Sequence, residues 1–168
     1  MTCMDISAAR MDALATKVAQ KVGGQIEKLV FREGDFSNVL PFSDGSFDLV
    51  LFDAALHHSR NIWLTLQECH RVLSNDGILV AQREAFVALL TSGIAFRRLL
   101  CSPEVAAGVS ENAYLRSQYD YYMRANGFLP TFRSVAPGRW ALVGFLNGWV
   151  FSKWAIVAQR REHAPVLE

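Results

Sequence analysis

The spacing of apolar residues changes period several times along the chain. Met11, Leu14, Ala15, Val18 and Val22 recur three and four residues apart, which predicts one amphipathic helix. Ser7 precedes it and offers a hydroxyl to cap its first turn. Gly23-Gly24 ends it, because glycine takes the left-handed conformation at little cost. Leu29–Glu33 is a short apolar run that stops at Gly34-Asp35. After a turn at Asp44-Gly45, Phe47–Phe52 is almost continuously apolar, as a strand buried on both faces would be. Ile62, Leu66, Cys69 and Leu73 form a second helical stripe. Asn75-Asp76-Gly77 then turns the chain into another buried strand, Ile78–Gln82. Helices alternating with such strands predict an α/β fold, a mostly parallel sheet with flanking helices and right-handed crossovers. Beyond Glu84 the pattern loosens. Phe86–Leu100 reads as a very apolar helix and Ser102-Pro103 as a helix start. Tyr114–Asn126 reads as a helix stopped by Gly127, and Thr131–Val135 and Trp154–Gln159 as strands.

The chain has 168 residues, 51% of them apolar, enough for one domain with a real core and too many for disorder. A net charge of +1 gives no general case for nucleic acid. The charge is uneven: residues 1–59 hold five basic and eight acidic side chains, residues 60–168 twelve and eight. An acidic half suits a cationic ligand, although ordinary scatter explains it equally well. Cys3, Cys69 and Cys101 form neither a disulfide framework nor a paired motif, so we expect buried free thiols. Met1–Ser7 lacks the basic and long apolar regions of a secretory leader, so a cytoplasmic location is expected. Trp140–Ala158 approaches the length of a membrane span. Gly144, Asn147, Gly148, Ser152 and Lys153 interrupt it, and a mid-bilayer charge is costly. We read it as a hydrophobic connection leading into a buried terminal strand.

In open parallel sheets, ligands bind beyond the carboxyl ends of the strands. Asp5, Asp35 and Asp53 fall at such ends, and the expectation is that they share one rim. Asp5 is a candidate acceptor for ribose hydroxyls, or an acid that favours the helix N-terminus. In Gly34-Asp35-Phe36 the acid can accept from an adenine amine while the aromatic covers the ring, with Gly34 allowing close approach. The alternative is a plain turn. Asp53, His57 and His58 lie past the next strand. Either histidine could take a proton from an acceptor, with Asp53 orienting it; otherwise they shape the cleft or cap the next helix. Adjacent histidines rarely aim at one ion, and Cys69-His70 lies on the following helix, so no metal site is expected. Glu68 and Arg71 should form an i,i+3 ion pair on a solvated helix face. Arg97-Arg98 is a lone basic pair. Trp140, Trp149 and Trp154 line an acceptor pocket or, more simply, pack in an aromatic core.

In order, these motifs are M-D-I-S, V-F-R-E-G-D-F, L-P-F-S-D-G-S-F-D-L-V, L-H-H and R-V-L-S-N-D-G. Together they resemble the type 11 group of class I S-adenosylmethionine-dependent methyltransferases over residues 1–84, and more weakly through E-N-A-Y-L-R-S-Q-Y-D-Y-Y-M-R-A-N-G-F. The resemblance implies a Rossmann-like fold with S-adenosylmethionine as cofactor. It implies Asp5 and Ile6 at the ribose, Asp35 at the adenine amine and Phe36 on the adenine face. Asp53 and the following residues, including His57 and His58, would then face the methyl group and a small-molecule acceptor. Residues 1–84 would be the cofactor-side core and 85–168 the acceptor side of a single, partial domain. The family's first strand and G-x-G-x-G loop have no counterpart in this sequence, which contains no G-x-G. From that departure we expect a reading frame that begins too late, or a gene fragment, with activity at risk from the loop's absence. A non-catalytic α/β protein that binds a partner or oligomerises is the alternative reading.

Overall fold

The computed structural model describes residues 1–22, 28–87, 93–94, 97, 100–106, 108, 110–134 and 151–161. The chain forms two compact units, Met1–Leu40 and Pro41–Glu168.

In the first unit, β1 (Thr2–Asp5) leads into α1 (Ala8–Val22) and then β2 (Val30–Glu33). Ser7 caps α1, its hydroxyl accepting from Arg10 N at 3.3 Å. Of the helical stripe, Met11 is buried but Leu14 is exposed. The strands pair in parallel from Thr2↔Val30 to Asp5↔Glu33. Gly34 follows at once, where an added Cβ would lie 2.9 Å from the Met4 sulfur. That sulfur ends a flexible side chain, so a larger residue at this position would require Met4 to shift.

The second unit holds β3 (Phe47–Asp53), α2 (Ile62–Val72), β4 (Leu73–Val87), α3 (Arg116–Ala125), β5 (Phe128–Ser134) and β6 (Phe151–Arg160). Its sheet has the order β3-β4-β6-β5. β3 and β4 run parallel, whereas β6 is antiparallel to both β4 and β5. The fold is α/β as expected, but the pairing is mixed. A continuous apolar run reports burial on both faces and is silent about the direction of the neighbouring strand. The core lies under α2 and α3, where Leu56, Leu66, Leu73, Leu79, Tyr119, Met123 and Ile156 are fully covered.

Several boundaries differ from expectation. The Asn75-Asp76-Gly77 turn sits inside β4 as a bulge: register passes from Phe47↔Leu73 to Leu49↔Ile78. Gly77 is obligatory there, since a Cβ would meet Ser74 O at 2.8 Å. Phe86 and Val87 extend β4 instead of opening a helix; most of the predicted helix after them lies outside the described residues, as do Gly23-Gly24, Trp140 and Trp149. β5 starts at Phe128, directly after Gly127, and tolerates Pro130 because it is the edge strand. Trp154 packs beside Phe86 at 5.8 Å in an aromatic cluster. Of the three thiols, only Cys69 is buried; Cys101 is exposed. Among the described residues no helix is long and apolar enough to cross a membrane.

Candidate functional site

Asp5 and Asp35 lie at the carboxyl ends of β1 and β2, in the first unit. Asp5 Oδ1 accepts from Ser7 N at 2.9 Å, so the carboxylate both starts α1 and is held by it. Its Oδ2 makes no hydrogen bond among the described residues. Ile6, next in sequence, leaves an apolar side chain 60% exposed beside that oxygen's residue. Asp35 Oδ1 accepts from Ser37 N at 2.8 Å, and its Oδ2 from Asn38 Nδ2 at 3.2 Å. The turn that carries Phe36 is thereby fixed. These residues fit the adenosine half of the cofactor: a carboxylate with an open oxygen, an exposed apolar neighbour, and a second carboxylate in an ordered turn.

Asp53 belongs to the other sheet, so the expected single rim is not built on one sheet. Apolar runs locate strand ends but not which strands are neighbours. Nor does Asp53 orient a histidine. Arg83 grips it with two bonds, Nε to Oδ1 at 2.5 Å and the terminal nitrogen to Oδ2 at 2.6 Å. The Arg83 guanidinium outweighs partial burial and holds the Asp53 carboxyl below the usual carboxylate range.

The residue that orients His57 is Glu84, one position past Arg83. Glu84 is fully buried. Its Oε1 accepts from Ala55 N and Leu56 N, both at 3.0 Å. Its Oε2 accepts from His57 N at 3.2 Å and lies 2.5 Å from His57 Nδ1. Three successive backbone amides thus converge on one carboxylate, an anion-binding nest. The chain bends to make it: Ala54 has φ +50° just after β3, and Arg83 has φ +59° beside it. Both are non-glycine residues held in the left-handed region, where strain of about 1 kcal/mol or more is offset by surrounding bonds. With Nδ1–H donating to Glu84, the Nε2 lone pair of His57 faces outward.

Nε2 points to Glu111, whose Oε2 is 3.7 Å away; the same oxygen is 3.7 Å from His58 Nδ1. Burial alone would lower the His57 pKa, but the Glu84 hydrogen bond and the charges of Glu84 and Glu111 prevail and raise it. His58 Nδ1 also lies 2.8 Å from Ser110 O. Segment 110–114 is brought here by Asn112, whose Nδ2 donates to His57 O and Ser59 O, both at 2.9 Å. A bridge between Phe86 and Tyr114 fixes its other end. Neither histidine caps α2; Asn61 does, accepting from Leu64 N at 3.1 Å.

Glu84 and Glu111 were not among the sequence-predicted residues. Glu84 had a readable signal, an acid two residues past the apolar run Ile78–Gln82. Glu111 had none, because only the fold carries it to His57. Glu68 and Arg71 do pair, with bonds of 2.7 and 3.0 Å, but Glu68 is buried, so this is not a solvated face. Arg71 also donates to Phe42 O and Asp44 Oδ1, both at 2.7 Å, and pins the loop before β3 to α2.

Residues 1–81 match the methyltransferase-domain family. An uncharacterized methyltransferase of Bacillus subtilis, YcgJ, is 34% identical over 76 residues, 45% of this chain and 29% of that protein. Malonyl-acyl-carrier protein O-methyltransferase 1 of Coxiella burnetii is 49% identical over 41 residues, 24% of this chain and 14% of its own. These matches span less than a third of either relative. In fold, the crystal structure of YcgJ superposes with a TM-score of 0.70 at 18% identity, covering 96% of this chain and 82% of that one. Geranyl diphosphate C-methyltransferase from Streptomyces coelicolor, solved with Mg2+, geranyl diphosphate and S-adenosyl-L-homocysteine, gives 0.72 at 16% identity, covering 95% and 62%. Residues 1–81 thus match the methyltransferase-domain family, and the chain shares the Rossmann-like fold of these methyltransferases.

Proposed function

We propose that this chain binds S-adenosylmethionine through Asp5, Ile6, Asp35 and Phe36 and takes part in methyl transfer to a small-molecule acceptor. The observation that carries the reading is the pair of carboxylates ending the parallel strands β1 and β2 inside the methyltransferase-domain match. When bound, the cofactor supplies an electrophilic methyl group. Asp5 accepts from the ribose hydroxyls through its open oxygen. Asp35 accepts from the adenine amine, Phe36 covers the ring, and Ile6 shields the sugar from water.

On the acceptor side, His57 Nε2 receives the proton of a hydroxyl or amine nucleophile, with Glu84 fixing its tautomer and aim. His58 borders the same space. Positioning supplies most of the acceleration, because in-line transfer needs no covalent enzyme intermediate. Calorimetric titration with S-adenosylmethionine tests the reading. Saturable binding is expected, weakened about tenfold or more by Asp35→Asn through loss of a charge-assisted bond. Heat indistinguishable from dilution would refute it.

One observation favours a second, non-catalytic reading. Leu49 and Leu51 on β3 are each 54% exposed, and among the described residues β3 pairs with β4 alone. An edge strand with exposed apolar residues invites pairing with another chain. A stable dimer without cofactor affinity would support this reading over the first.

A further inference from the structure

We infer that His57, His58 and Glu111 form a binding site for one transition-metal ion of the zinc class. The three side chains each offer one ligand atom, all within 4.8 Å of one another. Two nitrogens and one carboxylate oxygen are a donor set that zinc accepts, with water completing the shell. Tetrahedral bonds of 2.0–2.1 Å place ligand atoms ~3.3 Å apart. The present spacings of 3.7 Å, from Glu111 Oε2 to His57 Nε2 and to His58 Nδ1, are a few tenths of an ångström wider. The two histidine nitrogens lie within 4.8 Å of each other and must draw closer by side-chain rotation.

The surroundings are those of a metal ligand. A ligating histidine commonly donates its other ring N–H to a carboxylate, which fixes the tautomer and raises its basicity. His57 does this with the fully buried Glu84, at 2.5 Å, leaving Nε2 as the free donor. Charge points the same way. Glu84 and Glu111 are both largely withdrawn from water, and among the described residues neither pairs with a lysine or arginine. Glu111 makes no hydrogen bond there at all. The buried Tyr119 hydroxyl also lacks a partner among the described residues. The two carboxylates flank the same imidazole and repel each other, and a divalent cation would neutralise them. His58 is the least prepared ligand, because its Nδ1 must exchange the Ser110 carbonyl for the metal.

The adjacent histidines alone would not converge. They do so because Glu111, more than fifty residues downstream, is delivered between them by Asn112 and the Phe86–Tyr114 bridge. The inference does not rest on methyl transfer. It does concern the nitrogen assigned to proton transfer above, so a bound ion would remove His57 from that role.

The test is calorimetric titration of the full, chelator-stripped, untagged chain with Zn2+ in the absence of S-adenosylmethionine. Cys101→Ser serves as background, since an exposed thiol would compete for the ion. One ion per chain is expected. Glu111→Gln, which gives up no hydrogen bond within the described protein, should weaken binding more than about tenfold, as should His57→Gln; His58→Gln should weaken it less. His70→Gln, on the far end of α2, should leave it unchanged. If His57→Gln does not fold, Glu111→Gln decides. Absence of stoichiometric uptake, or equal affinity in Glu111→Gln and the parent, would overturn the inference. Either result leaves the cofactor titration to be judged separately.

Discussion

Single side chains here are placed by what they exclude as much as by what they touch. Cys69 is sealed inside α2, and burial, with a smaller push from Glu68, moves its thiol up from 9.0 to about 12. The folded chain therefore keeps this proton while the unfolded chain releases it above about pH 9. Stability should be unaffected by Cys69 below that pH. It should then fall by up to about 1.4 kcal/mol per pH unit as the pH rises towards 12. Tyr119, whose burial and neighbouring carboxylates raise its pKa, adds to the loss above its usual 10. Urea unfolding at several alkaline pH values measures the slope, and Cys69→Ala should remove the cysteine share. An unchanged slope would show that the thiol is not sealed.

At the scale of elements, Gly127 joins α3 to β5 in a conformation that other residues rarely adopt, with φ +80°. A Cβ there would also come within 2.7 Å of His70 Nε2, which bonds Arg161 O at 2.9 Å. Gly127→Ala should therefore cost about 1–3 kcal/mol by strain and displacement together. A shift in the urea midpoint without change in slope is the expected signature. The sequence marked this glycine as a helix stop, and the boundaries of β2, β3, α2 and α3 were legible for the same kind of reason. Apolar period and turn residues are local properties. Strand direction was not legible, because β4 and β6 look alike whether their neighbours run parallel or antiparallel. The site divides the same way. Asp5, Asp35 and Asp53 stand out in the sequence as acids near strand ends, whereas the approach of Glu111 to His57 depends on a pairing between distant segments. The pairing of Asp53 with Arg83 was not legible, because nothing local announces a partner thirty residues later.

Over the whole molecule, burial is distributed unequally. In Met1–Leu40 only Met11, Ser37 and Leu40 are buried among the described residues, and its sheet has two strands. A two-stranded sheet is marginal alone. Amides of β1 and β2 should exchange with deuterium before those at the centre of β4 and β6, and saturating S-adenosylmethionine should slow them selectively. Uniform exchange across both units would contradict this. A consequence follows for affinity itself. When the residues that grip a ligand sit on a thinly packed strip, part of the binding energy goes into setting that strip in order. The dissociation constant then measures the fraction of chains already shaped to receive the guest, as well as the quality of the handshake.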